Sequence, residues 1–474
     1  MLALALAAAL VAADPPQNGA PSDVAAAGDV IAFGYDQRIE AFAGGAAIRI
    51  AGDHPVVAAA SDGTAIVASK KRGSLVARIR RGGQGFAKTV RLGGNSHAYR
   101  VAAAPGGWTA ATWVTPIPPR LEAAVIDPAG GVHRRVLGRG KKLDVSDPQI
   151  GVDGRGQATV AWVFSSGRTT RVAVVRTVAG REWTRKDGAE SRTVGLAVSP
   201  GGHILLAWAG PNGVEASLDD GTPRTLAPLF TLSEPAISLA DDGSAVVAYT
   251  ADDKVFVLDR TAAGAWTAPQ AIGDEGGEGV ATALAADGTA FASWSAFPGA
   301  VVAVRAGGTW TPGQIVSSPV RLADPPVVGL DATGEPFALW HEFKQSTFAG
   351  RVHGARLGER STDATAPTLT TRVPERVKVA NDGAFSFNIR VACDEACDLR
   401  VLVGPKRPDM LGYDLRELPL PAGGQATIRI APSGNDERQA VKDDRPARMP
   451  ITFEAADRAG NLAITSVTAR VQRR

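Results

Sequence analysis

Short apolar runs of small residues, each opened by a glycine-containing turn and most closed by an aromatic, repeat along the first three quarters of the chain. Asp62-Gly63-Thr64-Ala65-Ile66-Val67-Ala68-Ser69 is one copy and Gly107-Trp108-Thr109-Ala110-Ala111-Thr112-Trp113 is the next. Further copies end at Trp162, Trp208, Tyr249, Trp294 and Trp340. Counted from Ser69, successive ends lie 44, 49, 46, 41, 45 and 46 residues apart. Around each copy the hydrophobic pattern predicts further strands, most clearly after residue 233. Glu234-Pro235 opens a strand over 236–240, Asp241-Asp242-Gly243 turns, 245–250 is a second strand and 254–259 a third; Ala263-Gly264 then turns into a fourth over 266–272. Glycine tolerates the positive φ such turns need, and aspartate bonds the backbone two residues on.

Four short antiparallel strands in about 45 residues, repeated in series, predict the blades of a β-propeller. Phrases such as Gly264-Ala265-Trp266-Thr267-Ala268-Pro269 and Gly308-Thr309-Trp310-Thr311-Pro312 recur at the fourth strand. Proline suits an outer edge strand, which need not donate every N–H. Residues 29–51 hold three strand-like stretches (30–34, 38–42, 46–51) with no opening strand, and the seventh repeat offers an opening pair at 327–330 and 336–340. Joining the two ends would close one composite blade and hide both edges. The expectation is a seven-bladed propeller over 29–360, with eight blades (through a strand at 348–357) or six as alternatives. The repeated Trp residues are expected to pack between blades and not to form a sugar platform.

The repeat stops near residue 361. A linker is expected at 361–367, followed by strands at 368–372, 384–392, 398–403, 425–431, 449–456 and 462–471. That number of short strands in about a hundred residues predicts an immunoglobulin-like β-sandwich over 368–474. Phe453-Glu454-Ala455-Ala456-Asp457-Arg458-Ala459-Gly460-Asn461 resembles the Asp-x-Ala-Gly-Asn turn of bacterial extracellular Ig-like and fibronectin-III-like domains. The resemblance covers the C-terminal quarter and implies a spacer or adhesion module. With the repeats, the chain resembles bacterial secreted β-propeller proteins carrying such a domain. The polar stretch 433–446 is expected to be a solvated loop. Cys393 and Cys397 are the two cysteines; in an exported chain so close a pair predicts a local disulfide.

Residues 2–13 are an unbroken Ala/Leu/Val run before Asp14-Pro15-Pro16, the length of a signal-peptide core and too short for a membrane span, although no Lys or Arg precedes it. The expected order is a signal peptide over 1–13, a disordered segment over 14–28, and a product secreted or held at the cell envelope without stable membrane insertion. Charged residues are 21% and hydrophobic ones 45%, a globular composition. The net charge is +3 and the longest basic run is Lys70-Lys71-Arg72, so charge does not point to nucleic acid.

Propellers commonly bind ligands at the mouth of the central channel, which makes the residues opening each innermost strand the candidate site. Registering the repeats puts His54, Arg100, Asp147, Arg192, Glu234, Glu278 and Asp324 there. Four of them stand directly before proline, so the same pattern also fits a strand-opening joint. The mixed signs argue against a metal ring, and no cofactor is expected. Ala286-Asp287-Gly288-Thr289 lacks the Ser and spacing of a sialidase box, the repeats lack the Gly-His and Trp-Asp pairs of WD40 blades, and no nucleophile elbow, zinc helix or P-loop occurs. The loop 274–279 lacks EF-hand spacing, and His341-Glu342 reads as an exposed loop. The leading expectation is a non-catalytic binding protein for an extracellular glycan or protein ligand. The alternative is a carbohydrate-active hydrolase or lyase using Asp147, Glu234, Glu278 or Asp324 as channel-mouth carboxylates; a third is a purely structural surface protein.

Overall fold

Antiparallel sheets follow one another along the chain in sequence order. A computed structural model describes residues 23–473 apart from short stretches, the longest being 140–147, 344–349, 357–364 and 405–413. The expected signal peptide and most of the segment 14–28 lie outside the described residues. Contacts divide the chain into two compact units, the first holding most of the residues up to 358 and the second residues 359–474 with 315–323 and 342–350.

In the first unit, sheets form over residues 23–51, 53–94, 98–139, 149–190, 194–227, 236–273, 278–315 and 327–356. In the first six, each strand pairs with the next in sequence; in the seventh, Gln314–Ile315 returns to pair with Gly299–Ala306. The opening strands are Asp23–Ala27, Asp53–Ala59, Ala98–Ala104, Gln149–Val152, Val194–Val198, Ala236–Leu239, Glu278–Leu284 and Val327–Leu330. Each lies beside the opening strand of the next sheet, and Val327–Leu330 lies beside Asp23–Ala27, so the opening strands close a circle. A closed circle of such sheets is a β-propeller.

The ends close differently from the expected composite blade. Asp23–Ala27 pairs with Val30–Tyr35 and supplies the opening strand that the sequence lacked. Val327–Leu330 pairs with Pro336–Phe343 in a separate sheet, with Gly350–Arg356 on its other side. Asp-Val-Ala-Ala-Ala carries little intrinsic strand preference, which hid the strand within a stretch read as disordered.

The repeated aromatics are mortar between sheets, as expected. Trp113 shares a cluster with Ile66, Leu75 and Leu92 of the preceding sheet, and Trp162 with Val114 and Leu121 of the sheet before it. Trp208, Tyr249 and Trp294 repeat the arrangement, each against the sheet that precedes it. Glycine makes room for the ring: a Cβ on Gly93 would lie 2.4 Å from Trp113 Nε1, and one on Gly273 would lie 2.5 Å from Trp294 Cζ2.

The C-terminal part is a two-sheet sandwich around one core. Leu369–Arg372, Phe387–Cys393 and Gln425–Ile430 form one sheet; Arg376–Val379, Leu462–Arg473, Arg448–Asp457, Cys397–Val403 and Asp414–Leu420, in that order, form the other. Ile389, Val391 and Ile430 face Leu399, Val401, Ile451 and Phe453 in the shared core. The stretch expected as a solvated loop contains a helix, Asn435–Asp444, that places Ala440 and Val441 in this core. Its few apolar residues leave too weak a periodic signal to read from sequence. Asp457 accepts hydrogen bonds from the Asn461 backbone N–H (2.9 Å) and side-chain amide (2.8 Å), tying the first and last residues of the Asp-x-Ala-Gly-Asn phrase together.

Cys393 and Cys397 are disulfide-bonded and link the end of one sheet to the start of the other. Closing so short a loop removes unfolded-state entropy worth about 2 kcal/mol. A Cys393→Ala/Cys397→Ala protein is therefore expected to lose about that much stability in chemical denaturation of the sandwich; an unchanged midpoint would show that the bond constrains nothing. No helix among the described residues is long and apolar enough to cross a membrane.

Candidate functional site

A cavity of about 330 Å³ is lined by opening strands from six sheets, including Ala58, Ala102, Ile150, Leu196, Ile237 and Leu284. These residues also pack into the cores between sheets: Ala58 in one, Ala102 and Ile150 in the next, Leu196, Ile237 and Leu284 in others. Strands committed to cores on both faces turn a backbone edge toward the channel. The wall is therefore made of small and aliphatic residues with peptide groups between them, and polar side chains gather at the ends.

At the mouth where the opening strands begin, the sequence-predicted residues take distinct places. His54 is exposed and in the left-handed region, at φ 50°, within an irregular register between Asp53 and Val56. Its carbonyl accepts a hydrogen bond from the Tyr99 hydroxyl of the next sheet. Arg100 is half-buried opposite Thr112, and Arg192 is exposed just before Val194–Val198. Glu234 is half-buried and accepts a hydrogen bond of 2.8 Å from Gln149 Nε2. Gln149 opens the fourth sheet and Glu234 precedes the sixth, so the contact reaches past the fifth sheet across the mouth. Below it, Thr193 Oγ1 donates to the Ser233 carbonyl at 3.2 Å, joining two neighbouring connections.

Asp324 faces His341, Oδ2 to Nδ1 at 2.9 Å. His341 and Glu342 are buried in the strand Pro336–Phe343, and Glu342 accepts from the Ser318 backbone N–H at 2.7 Å. The pair read as an exposed loop is thus part of a sheet: here, as in the other repeats, the strand runs past the aromatic that closes the sequence phrase. Glu278 begins its strand opposite Ser295, beside a register shift. Its side chain, Asp147 and residues 274–277 lie outside the described residues.

The structure brings together Gln149 with Glu234 and Asp324 with His341. Sequence registration missed Gln149 because it took the residue before Pro148, and the strand starts on the residue after it. Among the described residues no three His, Cys, Asp or Glu side chains are grouped as a metal site would need. Two buried carboxylates, Asp259 in the first unit and Asp414 in the second, are pushed up in pKa by burial, against the opposing pull of Arg305 and Trp310 on the first and of the Ala431 N–H and Arg416 on the second.

The turns at the far end of the opening strands carry a second aspartate set. Asp62, Asp242 and Asp287 each accept the backbone N–H two residues on, from Thr64, Ser244 and Thr289, at 2.8 Å. Asp62 also accepts from Gly106 of the next sheet at 2.7 Å. The Ser244 hydroxyl and N–H hold Asp242 below the usual carboxylate range, and Thr289 does the same for Asp287. For Asp62 burial pushes upward, but the bonds from Thr64 and Gly106 outweigh it. A depressed folded pKa gives stability that is present above the unfolded value near 4 and lost as pH falls through the folded one. Amide protection in these turns, measured against the intrinsic exchange rate at each pH, is accordingly expected to fall below about pH 4, and protection that stays flat down to pH 2 would contradict the assignment.

The chain matches no protein-family model and no curated protein. Its backbone is similar, at low identity, to several solved structures. An Aleuria aurantia lectin in complex with alpha-methyl-L-fucoside is 13% identical, with 55% of this chain and 93% of that one covered and a TM-score of 0.35. A catalytically inactive virginiamycin B lyase from Staphylococcus aureus with quinupristin is 10% identical, over 63% and 92%, at 0.40. YCF48 bound to D1 peptide is 13% identical, over 72% and 97%, at 0.38. Their ligands belong to them; the β-propeller architecture of this chain rests on its own strand pairing.

Proposed function

We propose that the chain is a non-catalytic binding protein of the cell exterior, presenting the mouth of its propeller to a glycan or protein ligand. The carrying observation is the Gln149–Glu234 contact, which draws polar groups of two non-adjacent sheets together over a channel of aliphatic residues and peptide edges. Of the four candidate carboxylates, the two whose side chains are described are engaged, Glu234 by an amide and Asp324 by an imidazole. That arrangement favours recognition over a paired acid and base. The apolar leader 2–13 and the disulfide are the support for export.

Two finer structural readings go with it. The opening strands of the circle make it an eight-bladed propeller, each sheet being one blade. The sandwich is Ig-like: its strands, in chain order, divide into 1-3-6 and 2-8-7-4-5, following the A-B-E and G-F-C-C′ orders of that fold. The second strand runs parallel beside the last.

A glycan array probed with the mature protein tests the functional reading. Specific retention without turnover supports it, and release of shortened sugars would favour the hydrolase alternative. A Glu234→Ala protein should lose retained ligands while melting normally; undiminished binding would move the site away from the mouth.

A further inference from the structure

The overall charge of +3 averages two opposite regions of the ring. Residues 53–192, the second to fourth sheets, hold 23 Lys and Arg against 10 Asp and Glu. Residues 193–356, the fifth to eighth sheets, hold 8 against 17. Adjacent arcs of one closed circle thus carry net charges of +13 and −9.

The division is visible at the mouth. On the basic arc, Lys71 and Arg72 are exposed at the turn between Ala65–Lys71 and Ser74–Arg80. Arg100 and Arg192 open their sheets at the same end. Between them Arg120 and Arg139 stand directly opposite each other on paired strands. Like charges in that position are destabilising, and a bound anion would relieve them. On the acidic arc the turn equivalent to Lys71-Arg72 carries Asp252 and Asp253, both exposed, and the mouth carries Glu234 and Asp324.

We propose that the basic arc binds a linear anionic polysaccharide, its carboxylate or sulfate groups lying along Lys71, Arg72, Arg100, Arg120, Arg139 and Arg192. The proposal rests on the binding reading above and names the chemistry of its ligand. A polyanion carries condensed counterions, and their release drives association with a basic surface. The acidic arc repels the same polymer and so confines it to one side of the mouth. The large hydrophobic side chains exposed among the described residues are Ile117, Ile315, Leu462 and Ile464, none of them aromatic. That counts against a neutral sugar held on a ring and against single-stranded nucleic acid, both of which rely on stacking. A second copy turned over would also match acid to base, but exposed ion pairs between folded surfaces contribute little.

The full chain would be titrated with polygalacturonate, heparin, neutral dextran and duplex DNA, at low and at physiological salt. Polygalacturonate or heparin should bind, the better of the two showing which anion is preferred, and affinity should fall at least about tenfold as salt rises. Arg120→Glu/Arg139→Glu should weaken binding by at least about tenfold. Lys71→Glu/Arg72→Glu, on an exposed turn where folding is not at stake, should act in the same direction. Asp252→Asn/Asp253→Asn should leave binding intact or strengthen it. Unchanged affinity in both basic-arc variants, tighter binding to DNA than to either polysaccharide, or salt-sensitive dimerisation without polysaccharide binding would each overturn the proposal. Salt-independent binding of dextran would overturn it while leaving a glycan-binding function standing, and binding to none of the polysaccharides would remove the glycan reading as well.

Discussion

Replacing Asp259 with alanine is expected to cost about 3–5 kcal/mol, one of the largest single-site losses in the ring. Asp259 sits in the strand Lys254–Arg260 of the sixth sheet and receives two groups from the seventh. Arg305 approaches Oδ1 at 2.6 Å, and Trp310 Nε1 donates to Oδ2 at 2.9 Å. The Asp259 and Arg305 side chains are only 12% and 13% exposed. Burial raises the pKa of Asp259 more than Arg305 and Trp310 lower it, so the joint is costly to form and specific once formed. Its ionisation accordingly opposes the acid sensitivity of the turn aspartates: a raised folded pKa gives stability that is present below the unfolded value and lost as pH rises through the folded one. Truncation is severe because it strands Arg305 without a counter-charge and Trp310 without an acceptor. Asp259→Ala/Arg305→Leu should recover part of the loss, since the orphaned charge is gone. Urea denaturation of the single and double variants decides it; a loss below about 1 kcal/mol for Asp259→Ala would mean that water reaches the site.

Trp113→Ala should cost a similar amount, about 3–5 kcal/mol, by a different route. The ring is fully buried against Ile66, Leu75 and Leu92 of the preceding sheet, and its removal leaves a cavity that two stiff sheets cannot collapse to fill. Gly93→Ala attacks the same contact from the other side: its methyl group would drive into the indole, at about 1–3 kcal/mol. Because a propeller is a chain of similar interfaces closed into a ring, the loss should appear first between the second and third sheets. Amide protection in Ser74–Arg80 and Pro119–Ile126 should fall before that in sheets across the ring. Uniform loss of protection would show that the ring melts as one unit.

Much of the fold was legible because a propeller writes its period into the sequence. Every blade buries a strand of small residues and most lay an aromatic on the blade before, so the phrase ending at Trp113 must recur near Trp162, Trp208 and Tyr249. The exceptions have physical reasons. Asp23–Ala27 is a strand because the ring offers it neighbours on both sides, not because its alanines favour one. The helix Asn435–Asp444 buries little more than Ala440 and Val441, too few positions to show a helical repeat. His341 and Glu342 looked like loop residues because they follow the aromatic that closes the sequence phrase.

The candidate site was legible only as a set of strand-opening positions. That Glu234 meets Gln149, 85 residues away, depends on which blades come near one another around the mouth, and a linear register cannot express it. Spacing and side-chain size along the chain determined that this protein would be a ring of small antiparallel sheets followed by a sandwich, since local burial has to be satisfied within each repeat. Only the tertiary structure decided how the ring closes, which polar groups share its mouth, and that the basic and acidic stretches of the chain become adjacent arcs of one circle. Those properties arise from bringing distant blades side by side, and the repeat itself is blind to them.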